Sequence, residues 1–256
     1  MKTKLSMRSR LGAAAVAFLT AFAMLATNAQ PANASVLDPL KKAYEWYIKY
    51  AQGQVVAITA AQQIIIQINI AKFEIMAHID LVAAADVQAC AEAAVIEFED
   101  IEAMSPTVRE NFAMSATACV TRAKSLLSSP ATNIAAVDLL GFVMNAVGPI
   151  ALIARARVGY SSTALRAAIE AGNNTLIPKL TPRPGTPVPP AGHCFAAANT
   201  GDQEPGQILE YIIRCTSYNG DTGFDSCLGC IVYTNAQRQA VRNTSRPIAI
   251  MVNGIL

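Results

Sequence analysis

The sequence predicts a mainly α-helical protein, a long helical hairpin or bundle, followed by a Pro-rich linker and a small disulfide-stabilised β-rich module. Three observations carry this. From Gln54 to Ser105, 52 consecutive residues contain neither glycine nor proline and are rich in types with few reasons to leave a helix. Six prolines then fall within 13 residues, from Pro178 to Pro190. Beyond them a tail of 66 residues from Ala191 carries four of the six cysteines, a density that suits a module too small to be held by an apolar core alone. The expected division is a leader over 1–34, a helical domain over 35–176, the linker over 177–192 and the cysteine-containing module over 193–256.

The leader has the parts of a Sec-type signal peptide. Lys2, Lys4, Arg8 and Arg10 form a basic start without an acid, and an apolar run of 16 residues follows from Leu11 to Ala26, short of the roughly 20 that span a bilayer. Ala32-Asn33-Ala34 supplies small side chains for signal peptidase, so cleavage is expected after Ala34 and the product is expected to be secreted. Ser9 separates Arg8 from Arg10, which disfavours a twin-arginine signal, and no cysteine precedes Cys90 to carry a lipid anchor. The alanine-rich leader with its long basic start has a bacterial character. Without it, the net charge moves from +2 to about −2, so no nucleic-acid partner is expected. Charged residues make up only 15% of the chain against 53% hydrophobic ones, which implies extensive burial.

Within the stretch from Gln54 to Ser105, Ile58, Ala61, Ile65, Ile68, Lys72, Ile75, Ile79 and Val82 follow a 3-4 spacing, as for a helix packed along a seam. Ile64, Ile66, Ile68 and Ile70 also alternate like a strand, but their flanks are alanine-rich and no turn residues bound them. Ser105-Pro106 starts a second helix, with serine as the cap and proline where its missing N–H costs nothing; it is expected to end near Leu127, before Ser128-Ser129-Pro130. A third helical region is expected from Asn133 to Ala171, bent or interrupted at Gly148-Pro149 and stopped by Gly172-Asn173-Asn174.

Cys90 lies 15 residues before Ser105 and Cys119 lies 14 after it. Antiparallel helices meeting at that turn bring equal offsets side by side, roughly 22 Å from the bend at 1.5 Å per residue, so a Cys90–Cys119 disulfide is geometrically natural. After Gly192, the β-branched runs Gln207–Thr216, Ile231–Thr234 and Ile248–Val252 read as strands. Cys194, Cys215, Cys227 and Cys230 are expected to form two disulfides, as thiols do in an oxidising setting. The turn at Gly220–Gly223 sits midway between Cys215 and Cys230, which favours Cys215 with Cys230 and Cys194 with Cys227. The metal alternative draws on Cys227-Leu228-Gly229-Cys230 and His193 but lacks a second close pair. A redox role for the same Cys-x-x-Cys needs a helix start, whereas Ile231-Val232-Tyr233-Thr234 reads as strand.

No nucleophile elbow, zinc-protease helix or phosphate-binding glycine loop is present. His78 and Asp80 fall on different faces of a helix, and Glu97, Glu99, Asp100 and Glu102 read as a solvated helix end beside a following helix start or a calcium ion. Arg238, Arg242 and Arg246 would make a stripe only if helical, and Asn243, Thr244, Ser245 and Pro247 break that helix. No cofactor or metal is expected. Trp46, Tyr47 and Tyr50, interleaved with Lys41, Lys42 and Lys49, are candidate membrane or ligand contacts, although packing against other helices also accounts for them. The 16 uncharged residues from Leu139 to Ala154 are too short and too broken for a stable span. The functional expectation is an exported, non-enzymatic binding or structural protein whose C-terminal module takes a protein partner or a cell-surface glycan. The alternative is a pore-forming or toxin-like protein whose Ile64–Leu81 face or Leu139–Ala154 segment enters a membrane surface.

Overall fold

A computed structural model of the chain describes residues 33–54, 62–64, 85–129, 132–185, 192–199 and 208–256. The leader up to residue 32, all eight seam positions from Ile58 to Val82, His78 and Asp80, and Pro187 to Pro190 of the expected linker lie outside the described residues. Among the described residues the helices with both ends given are α1 (Asn33–Ala51), α2 (Ala85–Phe98), α3 (Pro106–Leu127), α4 (Ile134–Arg157) and α5 (Thr163–Leu180), and residues 62–64 are also helical. A sheet of β1 (Arg183–Pro184), β2 (His193–Asn199), β3 (Glu210–Thr216) and β4 (Thr222–Leu228) follows, and α6 (Thr234–Ala240) and α7 (Arg246–Ile255) end the chain. The protein is thus mostly helical with a small mixed sheet near its C-terminus, in the order β1-β2-β3-β4. Only the β1–β2 pair is parallel.

Helix α3 starts and ends where its local signals place it. Ser105 Oγ accepts the Val108 N–H at 3.4 Å and Pro106 opens the first turn. Cys90 and Cys119 are joined across the α2–α3 hairpin with Cα atoms 5.8 Å apart. Helix α4 begins with Asn133, whose Oδ1 accepts the Ala136 N–H at 2.8 Å. It continues as one helix through Gly148-Pro149, unlike the expected break, and every residue from Ala136 to Ala154 is buried. Helices α1, α2, α3, α5 and α7 all pack on it.

The expected stop at Gly172-Asn173-Asn174 falls instead at Gly159. There a left-handed φ of +76° lets Tyr160 N–H reach Arg155 O at 2.8 Å and Gly159 N–H reach Ala156 O at 3.2 Å, closing the α4 C-terminus. Gly172 serves a different need. A Cβ there would lie 2.4 Å from Met144 Sδ, so the missing side chain lets α5 approach α4. Beside it, Asn145 and Asn173 exchange amide hydrogen bonds at 2.9 and 3.1 Å, both fully buried. Asn173 also donates to Asn253 of α7, whose own Nδ2 donates to Asn174 Oδ1 at 2.9 Å. Helix α5 then runs on through Pro178 to Leu180, past the start of the expected linker.

Ile248–Val252, expected as a strand, lies in α7. Pro247 occupies the first turn, and Ile248, Ala249 and Val252 form a buried stripe at helical spacing that joins the core of the bundle. Ile231–Val232, also expected as strand, precedes α6 without pairing in the sheet. Residues 33–256 accordingly cluster as one unit. Asp138 of α4 links its parts. The carboxylate accepts the Tyr218 hydroxyl of the β3–β4 turn at 2.6 Å and the Ser245 N–H, at the α7 N-terminus, at 2.5 Å.

Two phenols are held well above the usual tyrosine range, Tyr44 by burial and Tyr218 by burial and then by the charge and hydrogen bond of Asp138. An unfolded tyrosine ionises near pH 10, so their contribution to stability is complete below that pH and is lost as pH rises above it. The denaturation midpoint should therefore fall between about pH 10 and 12, and Tyr44→Phe with Tyr218→Phe should flatten that fall. An unchanged slope in the double variant would contradict the assignment.

Candidate binding face

The sheet has two chemically distinct faces because successive side chains alternate. Inward, Cys194, Ile213 and Cys215 are fully buried with Ala236 and Ala240 of α6, and Ala196 and Cys227 pack against them. Gly223 permits this layer: a Cβ there would lie 2.1 Å from Ala236 O and 2.6 Å from Ala240 N. Gly223→Ala should therefore push α6 off the sheet at a cost of about 2 kcal/mol. Urea unfolding with a midpoint equal to wild type would rule that out.

Outward, the register aligns Phe195, Arg214 and Phe224 in one row across β2, β3 and β4, with Ala197, Ile212 and Ser226 in the next. Phe195, Ile212 and Phe224 are 45%, 49% and 52% exposed, a large share for side chains of this size. The Arg214 guanidinium lies over the Phe224 ring, 5.7 Å from its centroid, and His193 meets Phe195 edge-on at 4.8 Å. Strand β4 is a sheet edge, and side chains occupy its outward donors: Phe224 N–H bonds Gln239 Oε1 at 3.1 Å and Ser226 N–H bonds Asp225 Oδ1 at 2.9 Å. This edge is therefore blunted against adding a further strand, while on the opposite side of the sheet β1 covers only His193 and Cys194 of β2.

The six cysteines form three disulfides, and the C-terminal pairing differs from the expected one. Cys194 bonds Cys215 with Cα atoms 4.0 Å apart, and Cys227 bonds Cys230 at 5.4 Å. The β2–β3 register sets Cys194 directly opposite Cys215, and the β3–β4 hairpin pairs Cys215 with Gly223 rather than with Cys230. The Cys227–Cys230 bridge begins within β4, before the start of α6 at Thr234. Among the described residues no group of three His, Cys, Asp or Glu side chains is placed to hold a metal ion.

The other candidate residues are scattered. Tyr47 and Tyr44 are core residues of the bundle, while Trp46 and Tyr50 pack half-buried against it, and Lys49 Nζ lies 5.4 Å from the Trp46 ring centroid. Of the acids, Glu97, Glu99 and Asp100 are exposed, and Glu102 pairs with Arg157 from the end of α4. Arg109 in the first turn of α3 covers the nearby carbonyls, donating to Ile101 O and Met104 O at 3.0 Å. The neighbour of that acidic helix end is thus the next helix start. Arg238 lies in α6, Arg242 in the following turn and Arg246 in α7, so they do not share a helix. Arg246 donates to Thr181 Oγ1 at 2.7 Å, and burial followed by the charge of Arg238 lowers its pKa.

Among the described residues only α4 is long and apolar enough to cross a membrane, and that segment is entirely buried. A shallow apolar groove lies where α5 meets β1, between Ile177, Pro178, Pro182 and Gln237, with Gln237 Nε2 donating to Pro182 O at 2.8 Å. The outer row of the sheet was not singled out from sequence. Its signal lay in Cys194 and Cys215: once these are set opposite one another, Phe195 and Arg214 become neighbours on the reverse face. The chain matches no protein-family model, no curated protein and no solved structure.

Proposed function

We propose that this chain is an exported, non-enzymatic binding protein of bacterial type, in which the helical bundle supports a C-terminal sheet whose solvent face takes a partner or a cell-surface glycan. The observation that carries this reading is the in-register row Phe195–Arg214–Phe224, open to solvent beside Ile212. Leaving three large apolar side chains together in water forgoes their burial energy, roughly 1.5–3 kcal/mol for each when fully buried. A contact surface recovers part of it. Export is supported by the composition of the leader, and the three disulfides are compatible with an oxidising destination. The continuous burial of α4 supports its assignment to the bundle core in this reading.

The test is pull-down of the mature full chain by cell-envelope fractions. Phe195→Ala with Phe224→Ala should weaken retention by at least about tenfold, equivalent to about 1.4 kcal/mol, with an unchanged far-UV spectrum. Retention equal to wild type would remove the sheet face from the function. Hydrolysis of an envelope polymer, lost on mutating Glu97, Glu99, Asp100 or Glu102, would overturn the non-enzymatic reading.

A further inference from the structure

We infer that the occupant of this face is an anionic glycan, a sugar chain bearing carboxylate or sulfate groups, with Arg214 as its anion-binding residue. The inference rests on the sheet-face reading above and names the ligand class. Arg214 stands between Phe195 and Phe224 in the same row, and among the described residues it forms no ion pair. Its guanidinium is held over the Phe224 ring, so the planar fork is pre-positioned and lies against hydrocarbon, where a charge-assisted bond to an anion is stronger than in open water. The acid on the same face of β3 is Glu210, four residues away and bonded by Asn199 Nδ2 at 3.4 Å. At about 3.3 Å per residue it lies roughly 13 Å off, beyond the Debye length of about 8–10 Å at physiological salt. Asp225, next to Phe224 on β4, is nearer but alternates to the opposite face, and its Oδ1 is engaged by the Ser226 N–H.

Geometry selects a sugar chain over the other anionic polymers. Neighbouring strands lie about 4.8 Å apart, which puts the Cα atoms of Phe195 and Phe224 about 10 Å apart with that of Arg214 between them, and the guanidinium leans over the Phe224 ring. The Phe195 ring, 45% exposed, accepts the C–H face of a sugar ring while the acid group of the same chain reaches the guanidinium stacked on Phe224. A peptide that adds as a strand is opposed at β4, where Gln239 and Asp225 already occupy the outward donors. A second copy of the chain stacked face to face about a two-fold axis through this row would bring Arg214 against Arg214. Nucleic acid needs several phosphate contacts, whereas this row offers one cation.

The experiment measures binding of the mature full chain to polygalacturonate, to its fully methyl-esterified form, to chondroitin sulfate and to poly-glutamate, at low and physiological salt. Wild type should bind polygalacturonate or chondroitin sulfate, lose at least about tenfold on esterification or on Arg214→Ala, and recover part of the loss with Arg214→Lys. Equal binding of the esterified and acidic polymers, or no effect of Arg214→Ala, would overturn the inference while leaving the sheet face as a binding surface. Arg214-dependent binding of poly-glutamate alone would overturn the glycan assignment in favour of an acidic peptide. Absence of binding to all four polymers, with envelope retention still sensitive to Phe195→Ala and Phe224→Ala, would likewise reject the anionic glycan but keep the face. Insensitivity of that retention would remove both readings.

Discussion

Replacing Asp138 by alanine should destabilise the folded chain by about 3 kcal/mol, the largest loss expected from one polar side chain. Asp138 is only 6% exposed, in the second turn of α4. Its carboxylate receives the Tyr218 hydroxyl and the Ser245 N–H, groups 80 and 107 residues away in sequence. Truncation would strand both donors: the Tyr218 hydroxyl, held above the usual range in part by this bond, and the N–H of Ser245, the residue preceding α7, whose own side chain makes no capping bond. Each bond to a charged acceptor contributes about 1.5–3 kcal/mol. Asp138→Asn keeps one acceptor oxygen and turns the other position into a donor, so it should lose about half as much. Tyr218→Phe combined with Asp138→Ala should cost less than the two separate losses added, because they remove the same bond. Urea titrations followed by far-UV circular dichroism measure this. A change below about 0.5 kcal/mol for Asp138→Ala, the size of an ordinary surface substitution, would show that the bonds do not hold the parts together.

The second large effect is expected at Cys194 and Cys215. They are fully buried, directly opposed on β2 and β3, and 21 residues apart. In the chain-entropy account, closing a loop of that length restrains the unfolded chain by about 3 kcal/mol, against about 2 kcal/mol for the short Cys227–Cys230 loop. Cys194→Ala with Cys215→Ala should therefore abolish amide-exchange protection in β2 and β3 while leaving α3 and α4 protected. Cys227→Ala with Cys230→Ala should leave the sheet folded. The order of reduction should follow burial: limited reductant followed by alkylation and mass mapping should label Cys227 and Cys230 before Cys194 and Cys215. The reverse order would contradict the packing of the inner layer.

Both effects bear on the candidate face, because the row of Phe195, Arg214 and Phe224 exists only while three strands stay in register. Loss of the Cys194–Cys215 bridge should therefore reduce envelope retention even though no contact residue is changed.

Some of this architecture was legible from local signals. Ser105-Pro106 and Ser128-Ser129-Pro130 bracket α3, because a cap and a proline act within a few residues of themselves. The equal offsets of Cys90 and Cys119 identified their pairing, because two antiparallel helices share one rise per residue. The apolar run of α4 implied burial, and the β-branched run before Thr216 implied β3. Elsewhere the same residue types had two possible uses. Gly172 could stop a helix or admit a neighbour, and the Met144 side chain of another helix makes it the latter, while Gly159 provides the stop. Ile248–Val252 could alternate in a sheet or stripe a helix, and the apolar surface of the bundle captured it as α7. The pairing of the last four cysteines, and with it the side-by-side placement of Phe195, Arg214 and Phe224, depended on strand register, which no single segment encodes. Local chemistry determined where several elements begin and that the chain has extensive apolar surface to bury. Contacts spanning 20 to more than 100 residues decided which face each element presents, because burial and register are properties of pairs of segments rather than of either one.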